Sequence, residues 1–254
     1  MKFPMPPLLV ATLALAGCVG SWGDRAVPPP QGEAAAEPPA VEAVEARGLV
    51  GRVTWSGPAQ SAPTAAVTED PCAAAAGAAA RSVGPEAGLA DVVVVVADAP
   101  ASVDALRSFE LRASGCRFQP AVAAVPVGTQ LVANNRDARL HTFHLRREQQ
   151  GGSRRNLHNL AVPPGEHPAF WLFDEPATVH ISSDQVPAME AWVLVLDGGQ
   201  STVSDAEGRF ELPLLPPGQW QVRFWHPRFG QTELPVLIPA DGPASLYASL
   251  PPSP

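Results

Sequence analysis

Lysine is almost absent from this 254-residue chain, since Lys2 is the only one and every other basic residue is arginine. The 17 basic residues are outnumbered by 25 acidic residues, which gives a formal charge of −8. An acidic chain without a basic tract is a poor candidate for binding nucleic acid, so that class of partner is excluded. The chain also lacks an apolar run of the roughly 20 residues that a membrane-spanning helix needs.

The common catalytic motifs are absent as well. The sequence has no Gly-x-Ser-x-Gly elbow, no His-Glu-x-x-His pair, no phosphate-binding glycine loop and no dinucleotide fingerprint. The paired carboxylates Asp174 and Glu175 precede Pro176, as turn residues do. These absences favour a protein that is not an enzyme.

The N-terminus has the pattern of an export signal. Lys2 precedes the short apolar segment 8–16, and Leu15-Ala16-Gly17-Cys18 reads as a lipobox. The small residues give a peptidase access to the backbone, and the Cys18 thiol accepts diacylglycerol. We therefore predict a lipoprotein signal peptide at residues 1–17 and lipidation of Cys18. An ordinary secretory signal with a chance cysteine is the alternative.

Lipid on Cys18 makes a membrane the first predicted partner. Two or three acyl chains exceed what stable anchoring requires. Val19 follows the cysteine, rather than the aspartate that often retains such proteins at an inner membrane. The expected location is the bacterial cell envelope, at an outer membrane and facing the periplasm or the surface.

The other two cysteines, Cys72 and Cys116, form a natural pair. In an oxidising compartment such a pair is most simply a disulfide. Two free thiols or a metal pair are the alternatives.

The rest of the chain divides by composition. Residues 18–47 are rich in Pro, Ala and Glu and predict an extended tether. Short strands separated by turn residues follow from Gly48 onward, among them the β-branched run Asp91–Ala97, which is typical of a strand buried on both faces. The alanine-rich stretch 73–81 could form one short helix. The pattern predicts an all-β protein of the sandwich type.

Two blocks of motifs resemble a known family. The first has Gly115-Cys116-Arg117-Phe118-Gln119-Pro120, Val125-Pro126-Val127-Gly128-Thr129, Asn134-Asn135-Arg136-Asp137 and His141. The second has Met189-Glu190-Ala191-Trp192-Val193, Asp205-Ala206-Glu207-Gly208-Arg209-Phe210, Leu215-Pro216-Pro217-Gly218 and Trp225-His226. Together they resemble exported plastocyanin-like proteins. The resemblance implies a cupredoxin-like Greek-key β-sandwich at 48–198, followed by a small carboxypeptidase-regulatory-like β-sandwich at 199–250.

The same resemblance implies where copper ligands would lie. A type 1 copper site needs two imidazoles and a thiolate, with a weak axial thioether. His141 and Met189 occupy two of the four ligand positions. The cysteine position holds Ser183 and the second histidine position holds Val186. Because a serine hydroxyl cannot replace the thiolate, a blue-copper electron carrier is not expected.

Two hypotheses for the function follow. The first is a non-enzymatic envelope lipoprotein that needs no cofactor, in which the cupredoxin-like domain serves as a binding or structural module. The second is a periplasmic copper-binding protein for metal handling or electron transfer, with His141 and Met189 as ligands and His144 or His180 as a third. On a regular strand His144 would face away from His141, as would His180 from Ser183. His226, after Trp225, is interpreted as a packing residue.

One local concentration of positive charge remains. Arg146-Arg147 and Arg154-Arg155 flank a polar loop that could contact an acidic glycan, lipid head groups or an acidic envelope protein. A solvated hairpin tip is the alternative interpretation.

Overall fold

The computed structural model describes residues 47–58, 72, 83–101 and 107–251. The signal peptide at 1–17, Cys18, the tether up to residue 46 and the helix predicted at 73–81 lie outside the described residues. Within the described residues, no helix is both long and apolar enough to cross a membrane.

The described residues form sixteen β-strands and two short 3₁₀ helices, at Pro85–Ala87 and Gln150–Gly152. The all-β prediction is therefore confirmed. The strands are β1 (Arg47–Trp55), β2 (Val93–Val96), β3 (Ser108–Ala113), β4 (Phe118–Gln119), β5 (Val122–Pro126), β6 (Gln130–Asn135), β7 (His141–Glu148), β8 (Arg154–Val162), β9 (Gly165–Leu172), β10 (Ala177–Ser182), β11 (Glu190–Leu196), β12 (Gln200–Val203), β13 (Arg209–Leu215), β14 (Gly218–His226), β15 (Gly230–Ile238) and β16 (Ala244–Leu250).

Strands β3 to β11 form the first sandwich. One sheet has the order β4-β3-β6-β9 and the other has the order β5-β11-β10-β7-β8. Alternate residues of both sheets point inward, and the core between them includes Leu111, Leu131, Phe143 and Ile181, each fully buried. The disulfide between Cys72 and Cys116, which the sequence predicted, lies in the same core.

Strands from both ends of the chain form the second sandwich. Its sheets have the orders β13-β1-β16 and β12-β2-β14-β15. The predicted boundary between residues 198 and 199 is therefore corrected, because β1 and β2 pair with strands of the C-terminal part. β1 is the central strand of its sheet, antiparallel to β13 and parallel to β16. A Cβ at Gly51 of β1 would collide with the Leu246 carbonyl and the Phe210 ring, so the close packing across β1 needs glycine there.

Strand β2 explains how the two sandwiches join. All four of its valines are buried, as predicted for the β-branched run. Val94 and Val96 pack into the core of the second sandwich. Val93 and Val95 face the other way and pack with Val122 of β5 and with Leu194 of β11. A continuous apolar run is what a strand with a core on each face requires.

Aromatic rings extend the junction between the sandwiches. Trp192 of β11 and Trp225 of β14 pack beside the valines, and their ring centroids are 6.2 Å apart with an edge-to-face tilt. Such aromatic contacts add about 1 kcal/mol to the burial of the rings.

Candidate metal centre

Two loops at one end of the first sandwich carry the predicted ligand positions. The β6–β7 loop leads to His141, and the β10–β11 loop carries residues 183–189. Strands β7 and β10 are antiparallel neighbours, with Ser182 opposite His144, so the start of β7 and the end of β10 meet. Hydrogen bonds join the loops, since Thr142 N donates to Gln185 Oε1 at 2.8 Å and Asp184 N donates to Thr142 Oγ1 at 2.8 Å.

His141 is completely buried at the start of β7. Its Nε2 lies 3.0 Å from Oδ2 of Asp137, and its Nδ1 has no hydrogen-bond partner among the described residues. An ionised carboxylate can only accept, so Nε2 is the donor in this contact, and in the neutral form of the ring the lone pair would be on Nδ1. A histidine with one nitrogen held by a carboxylate and the other open is the arrangement of a histidine prepared to bind a metal.

Asp137 holds more than the histidine. Its two carboxylate oxygens accept hydrogen bonds from the backbone N–H of Gly115 at 2.6 Å and of Cys116 at 2.9 Å. Both of these residues have positive φ, and for Cys116 this conformation is costly without such support. Asp137 thus ties the turn that carries the disulfide to the loop that carries His141.

The segment 183–189 is a closed and well-packed loop. Ser183 is 2% exposed, and its backbone N–H donates to Met189 O at 3.1 Å. Met189 N in turn donates to Val186 O at 2.8 Å. The Ser183 hydroxyl donates to Gln185 Oε1 at 3.2 Å. Val186 and Met189 are both buried in the core of the first sandwich.

These residues do not fit a type 1 copper ion. The hydroxyl of Ser183 is hydrogen bonded at the position that the sequence resemblance predicts for the thiolate, and the apolar side chain of Val186 is at the position that it predicts for the second imidazole. Both described cysteines, Cys72 and Cys116, are bonded to each other. Two donors of the expected set are present, the open Nδ1 of His141 and the thioether of Met189.

His144 and His180 do not lie with these two donors, the His141 Nδ1 and the Met189 thioether. Phe143 and Leu145 on β7 face the core, so His144 between them lies on the outer face, as predicted for residues three apart. There its Nδ1 lies 3.0 Å from Asp184 Oδ1, and this bond lowers the pKa of the Asp184 carboxyl.

His180 likewise lies between two core residues of β10 and packs against Trp192, with a centroid distance of 4.5 Å. Its Nε2 lies 3.3 Å from Glu190 Oε2, and this contact is the main reason that the pKa of Glu190 is lowered. His180 therefore belongs to the junction of the sandwiches.

A second group of side chains of the types that bind metals includes His141 and lies next to the predicted copper site. A sulfur of Cys116, a carboxylate oxygen of Asp137 and a ring nitrogen of His141 lie within 4.8 Å of one another. Sequence reasoning found His141 and Cys116 separately and missed Asp137. The available signal was that Cys116 and Asp137 belong to the same block of family motifs.

The four arginines lie at the ends of β7 and β8, where they flank the β7–β8 turn as predicted. Each has a carboxylate partner within the sandwich: Arg146 pairs with Asp184, Arg147 and Arg155 pair with Glu175, and Arg154 pairs with Glu148. The Arg154 guanidinium also lies 5.1 Å from the centre of the Trp192 ring. An acidic partner would have to compete with these internal ion pairs.

No protein-family model matches the chain, and no curated protein matches it. Among solved structures, the chain is similar to a purple cupredoxin from Nitrosopumilus maritimus, with 18% identity over 34% of this chain and 97% of that one, and a TM-score of 0.29. Amicyanin from Paracoccus versutus is 13% identical over 40% of this chain and 96% of that one, with a TM-score of 0.29.

The chain is also similar to part of a copper-containing nitrite reductase from Thermus scotoductus. The identity is 22% over 39% of this chain, the TM-score is 0.29, and only 25% of that enzyme is covered. At such identities and TM-scores, the chemistry of this protein has to be argued from its own residues.

Proposed function

We propose that this protein is a non-enzymatic lipoprotein of the bacterial cell envelope whose cupredoxin-like first sandwich acts as a binding or structural module without type 1 copper. The observation that carries the proposal is the 183–189 loop, in which Ser183 is buried and hydrogen bonded at the position of the thiolate. A loop closed in this way is stable without a metal ion. The second sandwich, by the sequence resemblance, is a carboxypeptidase-regulatory-like module.

Optical spectroscopy of the full-length chain in detergent tests the missing ligands. The wild-type protein with added Cu(II) is expected to remain free of the intense visible absorption of a thiolate–copper bond. The double variant Ser183→Cys with Val186→His should develop that absorption, because His141 and Met189 are already in place. Ser183→Cys alone is the control for a new thiol without the second imidazole. Intense visible absorption in the wild type would contradict the proposal.

The lipid anchor has its own test. Cys18→Ser is expected to abolish incorporation of labelled fatty acid and to move the protein from the membrane fraction to the soluble fraction, because the acyl chains supply the membrane affinity. Cys116→Ser is the matched control, since it removes a cysteine outside the lipobox. Membrane association of Cys18→Ser equal to that of wild type would refute the anchor.

A second candidate function rests on the buried, unpartnered Nδ1 of His141. We infer that a copper-handling role would use this nitrogen and the Met189 thioether to bind Cu(I), which is a soft ion. Titration with Cu(I) against a chelator of known affinity should then give one ion per chain, lost in His141→Ala and weakened in Met189→Leu. His167→Ala, which changes an exposed histidine of β9, is the control. No binding at micromolar Cu(I) would rule out the copper-handling role and leave only the first proposal.

A further inference from the structure

The Cys72–Cys116 disulfide lies directly against a histidine and a carboxylate. Asp137 is central, because its Oδ2 contacts both Cys116 N at 2.9 Å and His141 Nε2 at 3.0 Å. The sulfur of Cys116 and the donor atoms of Asp137 and His141 all lie within 4.8 Å of one another. Cys116 is 6% exposed and His141 is 0% exposed, whereas the Asp137 side chain is 14% exposed, so the group lies just below the surface.

Thiolate, imidazole and carboxylate are the three ligand types that Zn²⁺ takes in proteins. A zinc ion sits about 2.0–2.3 Å from such donors, which places the donors themselves about 3–4 Å apart. The three atoms are therefore already near a zinc-binding arrangement. What prevents binding is that the Cys116 sulfur is bonded to Cys72 and carries no charge.

We propose that this disulfide masks a zinc site and that its reduction opens the site, with Cys116, Asp137 and His141 as protein ligands. The inference goes beyond the proposed function and does not rest on it. The reductant is a dithiol, which supplies two electrons and two protons. One of its thiolates attacks a sulfur of the disulfide, its second thiol resolves the mixed disulfide, and the dithiol leaves as its own cyclic disulfide.

Zinc binding then completes the change. The Cys116 thiol gives up its proton and binds the ion as a thiolate. The proton on His141 Nε2 shifts to Nδ1, so that the Nε2 lone pair points at the ion, which takes the place of the hydrogen bond to Asp137. In the zinc site the metal would bind Nε2 of His141, whereas in the copper-handling role it would bind Nδ1. The zinc site and the copper-handling role are therefore distinguished by the ring nitrogen that binds the metal.

Two variants of the full-length chain, each with one cysteine replaced, provide a matched comparison. Cys72→Ser and Cys116→Ser both lack the disulfide, but only Cys72→Ser keeps the thiol beside His141. With Zn²⁺ as the probe, Cys72→Ser is expected to bind one ion per chain without any reductant. Cys116→Ser is expected to bind about 100-fold more weakly. With Co²⁺ in place of zinc, Cys72→Ser should show thiolate-to-cobalt absorption in the near ultraviolet, and Cys116→Ser should not.

Asp137→Asn in the Cys72→Ser background should lower the zinc affinity by about 10- to 100-fold. Equal zinc binding by Cys72→Ser and Cys116→Ser would overturn the proposal, as would a folded Cys72→Ser protein that binds no zinc. Loss of Cu(I) binding without any change in zinc binding would affect the copper-handling role alone.

Wild-type protein supplies a test that does not depend on the variants folding. A water-soluble phosphine reduces the disulfide, with the phosphine oxidised to its oxide by an oxygen atom from water and the two thiols taking up the protons. Zn²⁺ should raise the thermal midpoint of the reduced chain, because it binds the folded state. It should not raise that of the oxidised chain, and Mg²⁺ should raise neither. An unchanged midpoint for the reduced chain in Zn²⁺ would refute the masked site.

Discussion

His226 is a buried base in the core of the second sandwich. It is 2% exposed, its ring stacks on Phe229 at 4.6 Å, and its Nδ1 accepts a hydrogen bond from Arg228 N at 3.1 Å. Burial, with a smaller contribution from the Arg228 charge, lowers the pKa of His226 from 6.5 to about 4. The ring is therefore neutral in the folded protein at physiological pH, in agreement with its interpretation as a packing residue.

This histidine should make the protein sensitive to mild acid. As the pH falls through 6.5 the unfolded chain takes up a proton on His226, whereas the folded chain does not until the pH approaches about 4. The free energy of unfolding should fall across that window, by on the order of 3 kcal/mol from this group. His226→Asn keeps an acceptor near Nδ1 but does not titrate. Urea unfolding at pH 7 and pH 4.5 should show a smaller loss for this variant, and an equal loss would contradict the assignment.

At the scale of elements, the β6–β7 loop depends on Asn135. This residue is fully buried, and its Nδ2 donates to the carbonyls of Arg139 at 2.7 Å and Val162 at 2.9 Å. Its Oδ1 accepts a hydrogen bond from Asp137 N at 3.0 Å. The buried side chain of Asn135 therefore holds the loop that leads to His141 through three hydrogen bonds.

Replacing that side chain should be costly. Asn135→Ala leaves three backbone groups without their partner and should lower the free energy of unfolding by about 2–4 kcal/mol. Asn134→Ala is the matched control, because Asn134 donates only to the Glu110 carboxylate on the outer face and should cost under about 1 kcal/mol. Denaturant unfolding monitored by tryptophan fluorescence measures both. Similar losses for the two variants would show that the loop does not depend on Asn135.

Local sequence patterns predicted which segments form strands better than they predicted which strands pair with each other. The valine run gave β2 correctly, because burial on both faces leaves a continuous apolar signature at that place in the chain. The partners of β1 could not be predicted, since it pairs with residues about 160 and 195 positions further on, as with Arg52 opposite Arg209 and Tyr247. Alternation of apolar and polar residues identifies a strand but does not indicate which sheet the strand belongs to.

The candidate site divides in the same way. The resemblance to plastocyanin-like proteins implied that His141, Ser183, Val186 and Met189 lie together, and these residues lie at the start of β7 and in the β10–β11 loop. The contact of Asp137 with Cys116 and His141 joins three chain segments through side chains, and spacing along the chain does not encode such a contact. The predicted disulfide needed only the count of cysteines and the compartment.

At the scale of the molecule, the second sandwich is discontinuous in sequence, which leads to a prediction about fragments. A fragment of residues 199–250 lacks β1, the central strand of one sheet, and β2, which lies between β12 and β14 in the other. It should remain unfolded, because neither sheet can form. A fragment of residues 107–197 contains every strand of the first sandwich and should show dispersed amide resonances in NMR spectra. A folded 199–250 fragment would contradict the strand order.

The place of β1 also decides how the molecule would carry mechanical load. A pull transmitted along the chain from an anchored Cys18 would reach the described strands at the first residues of β1. Because β1 is bonded along its length to β13 and to β16, such a pull would shear two ladders at once instead of unzipping one edge. The second sandwich would take the load first, and the end of the first sandwich that contains His141 would be loaded only after it.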